Sequence, residues 1–183
     1  MNREQALKLV EEKIKNKNLV KHCLATEVCM RVLASHFKED TEKWGLTGLL
    51  HDIDYEETKD NPNQHSILGA EMLEKLGVDK EIVDAVKTHN EMHGIPPQTL
   101  MAKALFCLDP LTGLIVATTL VLPDRKIQNV SVENVLNRFK EKAFARGANR
   151  EIIQKCSDID LGLEDFVGIC LKAMQKISTD LGL

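Results

Sequence analysis

Apolar residues recur at three- and four-residue steps along nearly the whole chain, the spacing that places one stripe on the buried side of an amphipathic helix. Leu7, Val10 and Ile14 form a first stripe, which Asn16 and Asn18 interrupt. From about Leu19 to Phe37 a longer helix is predicted, with Leu24, Val28 and Val32 inward, Lys21, Glu27 and Arg31 at polar positions, and His22 in the first turns. Thr41 is positioned to cap a third helix through Leu49 and Leu50, ending near His51-Asp52-Ile53-Asp54, after which an acidic loop runs to Asn61-Pro62. The next helix starts around Gln64 or His65, carries Leu68, Met72 and Leu76, and stops at Gly77. Asp79 caps its successor, in which Ile82, Val83 and Val86 face inward and His89 comes at the end, before a loop with Gly94, Pro96 and Pro97. Another helix covers about Gln98 to Asp109, and the nearly uncharged run Leu111 to Leu122 reads as a buried helix or a subunit interface. Beyond Pro123, Ser131 caps a helix with Val132, Val135, Leu136 and Phe139, Asn149 caps a short one with Ile152 and Ile153, and the last carries Val167, Cys170, Leu171 and Met174.

No segment alternates with period two between hairpin turns, and no Gly-rich turn follows a strand, so Rossmann and P-loop readings are disfavoured. No internal repeat or flexible linker divides the chain. The expectation is an all-α, single-domain helical bundle over residues 1–183. A chain of 183 residues buries enough surface to fold without a structural metal or disulfide, so a metal here would point to function.

Charge and composition narrow the partners. With 24 basic against 28 acidic residues, a net charge of -4, one Trp and one Tyr, the chain offers no extended nucleic-acid surface and little aromatic stacking platform. The five cysteines form no C-x-x-C pair and their odd count fits reduced thiols, which places the protein in the cytoplasm. Met1 to Val20 has no apolar stretch of signal-peptide length. The run Leu111 to Leu122 is about 18 Å long as a helix, short of the roughly 30 Å hydrocarbon core, so no membrane partner is expected and the run suits a homodimer contact instead.

The six histidines carry the chemistry. His22, the adjacent pair His51-Asp52, His65, His89 and Asp109 come from five separate segments near helix ends or first turns. Imidazole and carboxylate suit divalent Fe, Mn, Zn, Co or Ni, and helices packed around one cavity bring such ligands together from distant positions. Gly48-Leu49-Leu50-His51-Asp52-Ile53, with His22 earlier and Gln64-His65-Ser66-Ile67-Leu68-Gly69-Ala70, Lys87-Thr88-His89-Asn90 and Leu108-Asp109-Pro110 following in order, resembles the HD superfamily of metal-dependent phosphohydrolases over about Leu19 to Pro110. That resemblance implies a metal-binding core at residues 19–123, with the helices of 124–183 packing on it.

Carried over residue by residue, the resemblance implies that His22, His51, Asp52 and Asp109 bind one metal, and that Asp52, the catalytic residue, bridges to a second held by His65 and His89. It implies two divalent ions, with Mg as a further candidate beside the transition metals, and an ionised water as the nucleophile on a small phosphorylated substrate. A mononuclear site of His22, His51, Asp52 and Asp109 is the alternative. Many two-metal members have Gly and Lys after the doublet, where this chain has Asp54 and Tyr55. Arg125, Lys103 and Lys87 are candidates for the missing phosphate-binding cation, and His93 for an extra contact; Glu56 and Glu57 read as a solvated face. Two other functions fit the same ligand set, a diiron oxygenase and a non-catalytic metal-bearing regulatory module.

Overall fold

A computed structural model describes residues 1–183 as helices joined by short loops, with no β-strand. In order they are α1 (Arg3–Lys13), α2 (Lys17–Phe37), α3 (Thr41–Leu50), α4 (Tyr55–Thr58), α5 (Ile67–Lys75), α6 (Lys80–Thr88), α7 (Leu100–Leu120), α8 (Val132–Lys140), α9 (Arg150–Gln154), α10 (Leu163–Lys176) and α11 (Ser178–Leu181). Side-chain caps account for most of the starts. Asn2 with Gln5 and Ser131 with Asn134 form reciprocal capping boxes, while Asp79, Thr99 and Asn149 each accept from first-turn amides. Asp40, rather than Thr41, caps α3 by accepting from the amides of Glu42 and Lys43.

One apolar core runs from Ala6 and Val10 of α1 to Val167 and Met174 of α10, which makes the chain a single helical domain. The long helices α2 and α7 lie at its centre: α2 packs on α3, α7 and α10, and α7 on α6, α8 and α9. Because α2 is covered on several sides, its most buried residues are Cys23, Ala25, Cys29, Met30 and Leu33, while Leu24, Val28 and Val32 are only partly buried. Glu27, expected at a polar position, is also buried; Arg3 at 2.6 Å and Arg31 at 3.0 Å compensate its charge and tie α1 to α2. A similar shift affects α5, whose inward residues are Gly69, Ala70 and Leu73, leaving Leu76 exposed.

The largest departure from the sequence expectation is α7. The sequence predicts a helix over about Gln98 to Asp109 and a separate apolar run from Leu111 to Leu122, yet one 21-residue helix continues through Pro110. An interior proline costs about 3 kcal/mol. Burial of Leu105, Leu108, Leu111, Leu114 and Ile115 on both sides of it, at about 1.5 to 3 kcal/mol each, exceeds that cost. At its full length α7 is long and apolar enough to cross a membrane, which corrects the length argument made from Leu111 to Leu122 alone; most of it is buried inside the domain.

Gly48 explains how two site helices approach. A Cβ there would lie 2.8 Å from the Thr26 backbone, so only glycine lets α3 lie this close to α2 and bring His51 beside His22.

Candidate metal centre

His22 projects from the first turns of α2, His51 and Asp52 follow α3, His65 precedes α5, His89 ends α6, and Asp109 lies midway along α7. All six converge. The two oxygens of Asp52 sort the imidazoles into two pairs. Oδ2 lies 3.6 Å from His22 Nε2 and 3.4 Å from His51 Nε2, whereas Oδ1 lies 3.3 Å from His65 Nε2 and 3.5 Å from His89 Nε2. Asp109 Oδ1 joins the first pair, at 2.9 Å from His22 Nε2 and 3.6 Å from His51 Nε2.

Every Nδ1 is already committed, which leaves every Nε2 for the centre. His51 Nδ1 donates to the Gly48 carbonyl at 2.8 Å and His89 Nδ1 to that of Val86 at 2.7 Å. His65 Nδ1 donates to Asp54 Oδ1 at 2.9 Å, and His22 Nδ1 to the Thr112 hydroxyl at 3.1 Å, which itself donates to the Asp109 carbonyl. Anchoring one ring nitrogen in this way orients the other toward a metal. His89 Nε2 is the decisive atom: it is buried and has no hydrogen-bond partner. An unsatisfied buried polar atom costs about 1 to 3 kcal/mol, and a cation between His89 and Asp52 would satisfy it. Two overlapping groups, His22 with His51 and Asp109, and His51 with Asp52 and His89, have donor atoms within 4.8 Å of one another. The residues present therefore fit divalent metal.

The HD domain model matches residues 19–114, just over half of the chain. The chain belongs to the HD domain family. Curated relatives include ribonuclease Y of Lawsonia intracellularis, 30% identical over 90% of this chain and 32% of that protein. Ribonuclease Y of Oleidesulfovibrio alaskensis is 24% identical over 91% of this chain and 32% of its own length, and that of Thermosipho melanesiensis 27% identical over 74% and 27%. This HD chain thus spans about a third of the length of the curated relatives it matches. No solved structure matches it.

Electrostatics in the HD centre follow from crowding imidazoles onto carboxylates. Burial opposes a charged His51, but Asp52 and Asp109 outweigh it and raise the ring to about 9. His65 behaves likewise: burial acts downward, and hydrogen bonds to Asp52 and Asp54 raise it to about 10. For Asp52, burial acts upward and the imidazoles, His51 foremost, override it and hold the carboxyl well below the usual range. Asp109 is held low against burial by His22 and His51. Protons here occupy lone pairs that a cation would take.

Other sequence candidates fall elsewhere. Arg125, at φ 52° in the turn after α7, and Lys103, earlier on α7, are not among the residues lining the cavity over the ligands, and Lys87 lines a different one with Ile95 and Pro96. His93 Nε2 donates to the His65 carbonyl at 2.6 Å, helping Asn90 hold that segment from behind. Glu56 and Glu57 are not merely solvated: Glu57 pairs with Lys13 at 3.0 Å and Glu56 accepts from the amides of Lys15 and Asn16.

Asp54 is the residue that sequence reasoning misplaced. Expected at the start of an acidic loop, it is instead 0% exposed and accepts from His65 Nδ1 and from the amides of Ser66 and Gly69, both at 2.8 Å. Those bonds hold Ser66 at φ 73°, a strained value for a residue with a Cβ, and a Cβ at Gly69 would lie 3.1 Å from the Asp54 carboxyl. Gly69 was the legible signal, since it leaves room for a carboxylate beside the helix start. Thr112, three residues after Asp109 and one turn along the same face, was the signal for the His22 anchor.

Proposed function

We propose that the chain is a metal-dependent phosphohydrolase that cleaves a phosphoester of a nucleotide or another small phosphorylated metabolite, with metal held by His22, His51, Asp52 and Asp109 and by Asp52, His65 and His89. The observation that carries this reading is the division of labour on Asp52, one carboxylate oxygen facing each pair of imidazoles. Two cations bound there would supply an ionised water near neutral pH and neutralise charge on the phosphoryl oxygens.

The protein's own part is preorganisation. Asp54, Thr112 and the carbonyls of Gly48 and Val86 fix the four rings in the tautomer that presents Nε2, so little reorganisation accompanies binding. His51 and Asp52 are buried, which excludes bulk water from the far side of the centre. His22, His89 and Asp109 form part of a cavity of about 360 Å³, and that side is the approach for substrate. Its size suits a small-molecule ligand, for which about 300 to 1,000 Å³ is ordinary.

Similarity to ribonuclease Y over 90% of the chain supports a second reading, an RNA phosphodiester as substrate. Protein loaded with Mn, Fe, Co, Ni, Zn or Mg should be assayed on bis(p-nitrophenyl) phosphate, mononucleotides and an RNA oligonucleotide. The expected result is turnover of the small esters that falls by about a thousandfold or more in Asp52→Ala, since loss of metal removes several kcal/mol of transition-state stabilisation. Unchanged turnover in that variant contradicts the function, cleavage of RNA alone selects the second reading, and oxygen consumption without phosphate release selects an oxygenase.

A further inference from the structure

The loop between α8 and α9 contributes Ala145, Arg146 and Asn149 to the lining of the cavity that also contains His22, His89 and Asp109, together with Phe106 and Pro110 of α7. That loop is built around a single side chain. The Arg150 guanidinium donates to the carbonyls of Phe144, Ala145 and Ala148 at 2.6 to 2.7 Å, and to those of Arg138, Phe139 and Glu141 at 3.3 to 3.5 Å. Wrapped on this anchor, Ala145 is held at φ 45°, a conformation that costs of order 1 to 3 kcal/mol and persists only where the surroundings enforce it. A second tie comes from Asn149, whose Nδ2 donates to Glu91 Oε1 at 3.1 Å across the cavity rim.

The residue after the strained alanine is Arg146. The chain's arginine ion pairs belong to Arg3, Arg31 and Arg138, and Arg150 is taken up by backbone, so the exposed Arg146 guanidinium stands uncommitted on the wall of the cavity that contains His22, His89 and Asp109. A guanidinium fork matches two oxygens of a phosphate. The ligand centre, which reaches the same cavity through His22, His89 and Asp109, is where a scissile phosphoester belongs if the proposed function holds. A cation that lines the same cavity but lies outside the ligand set then serves an anionic group that is not being cleaved.

We propose that Arg146, presented by the loop that wraps Arg150, binds a second phosphate of the substrate, so that the preferred substrates are nucleotides carrying a phosphoryl group besides the one at the metal centre. This rests on the phosphohydrolase reading for its substrate class, but binding at Arg146 is measurable without turnover. Asp109 and Glu91, the carboxylates that line the cavity, set its charge: the first belongs to the ligand set, and the second is engaged by Asn149.

The test uses the full chain in two forms. With metal loaded and bis(p-nitrophenyl) phosphate as reporter, inhibition by adenosine bisphosphate is compared with that by adenosine monophosphate in the wild type, Arg146→Ala, Arg146→Lys and, as a distant surface control on α10, Lys172→Ala. The expected result is an advantage of about tenfold or more for the bisphosphate, as for one charge-assisted hydrogen-bonded contact, which Arg146→Ala abolishes, Arg146→Lys partly restores and Lys172→Ala leaves intact. No such advantage in the wild type, or an advantage that survives in Arg146→Ala, overturns the proposal. In the metal-free chain, the Arg146 guanidinium resonance should shift on titration with adenosine bisphosphate; a silent resonance also overturns it. If the wild type hydrolyses neither the reporter nor a mononucleotide nor RNA, the phosphohydrolase reading fails, and the titration still decides Arg146.

Discussion

Two polar clusters organise this molecule, a half-buried one around Arg150 and a buried one around Asp52, and they are closed in opposite ways. Around Arg150, one guanidinium donates to six backbone carbonyls of α8 and the loop it supports, so all its donors are satisfied within the chain. Around Asp52, four imidazoles and two carboxylates crowd together, ring protons are held by elevated basicity, and His89 Nε2 is left without a partner. The first cluster is a structural knot. A bound cation would complete the second, and this imbalance distinguishes a site from scaffolding.

Proton exchange should expose the contrast most strongly. His51 and His65 have folded-state pKa values raised to about 9 and 10, so their contribution to the stability of metal-free protein is fully present below about pH 6.5 and is lost as pH rises through those values. Asp52 and Asp109, held low, contribute above the ordinary carboxylate range and lose that contribution as pH falls. Metal must displace the imidazole protons, so affinity should rise about tenfold per pH unit for each proton released, up to about a hundredfold for two. Calorimetry in buffers of different ionisation enthalpy checks this, and a pH-independent affinity would break the contrast.

The next largest effect is expected in the closed cluster. Arg150→Ala should destabilise the fold by about 3 kcal/mol, lowering the melting temperature by about 6 to 12 °C, with metal stoichiometry unchanged. Arg150→Lys should recover little of this, because an ammonium lacks the planar fork. Smaller effects are expected among the anchors of the open cluster. Asp54→Asn should weaken metal binding by about 10 to 100-fold, read by competition with a chelator, because it disturbs the His65 tautomer. Thr112→Val should cost about 1 kcal/mol, roughly fivefold in affinity at the His22 side.

The two clusters also differ in what the sequence discloses. His22, His51, Asp52, His65, His89 and Asp109 are legible because metal chemistry restricts ligand types and they occur in a recognisable order, although Asp109 lies within α7 rather than at a helix end. Asp54 reads as one more acid in an acidic run, since its burial depends on how α5 starts over it, which no local pattern states. Arg146 and Arg150 look like two surface cations around a glycine; only the wrapping of the loop separates the anchor from the free guanidinium. Helical periodicity locates nearly all the elements but not their inward faces in α2 and α5, where several neighbours bury small residues, nor the continuity of α7 through Pro110.

The central claim is that Asp52 joins two cation sites. Titration of the metal-free chain with Mn, followed by removal of free ion and elemental analysis, tests it most directly. The account predicts two ions per wild-type chain and fewer in Asp52→Ala; one ion or none in the wild type, or two retained in Asp52→Ala, would contradict it.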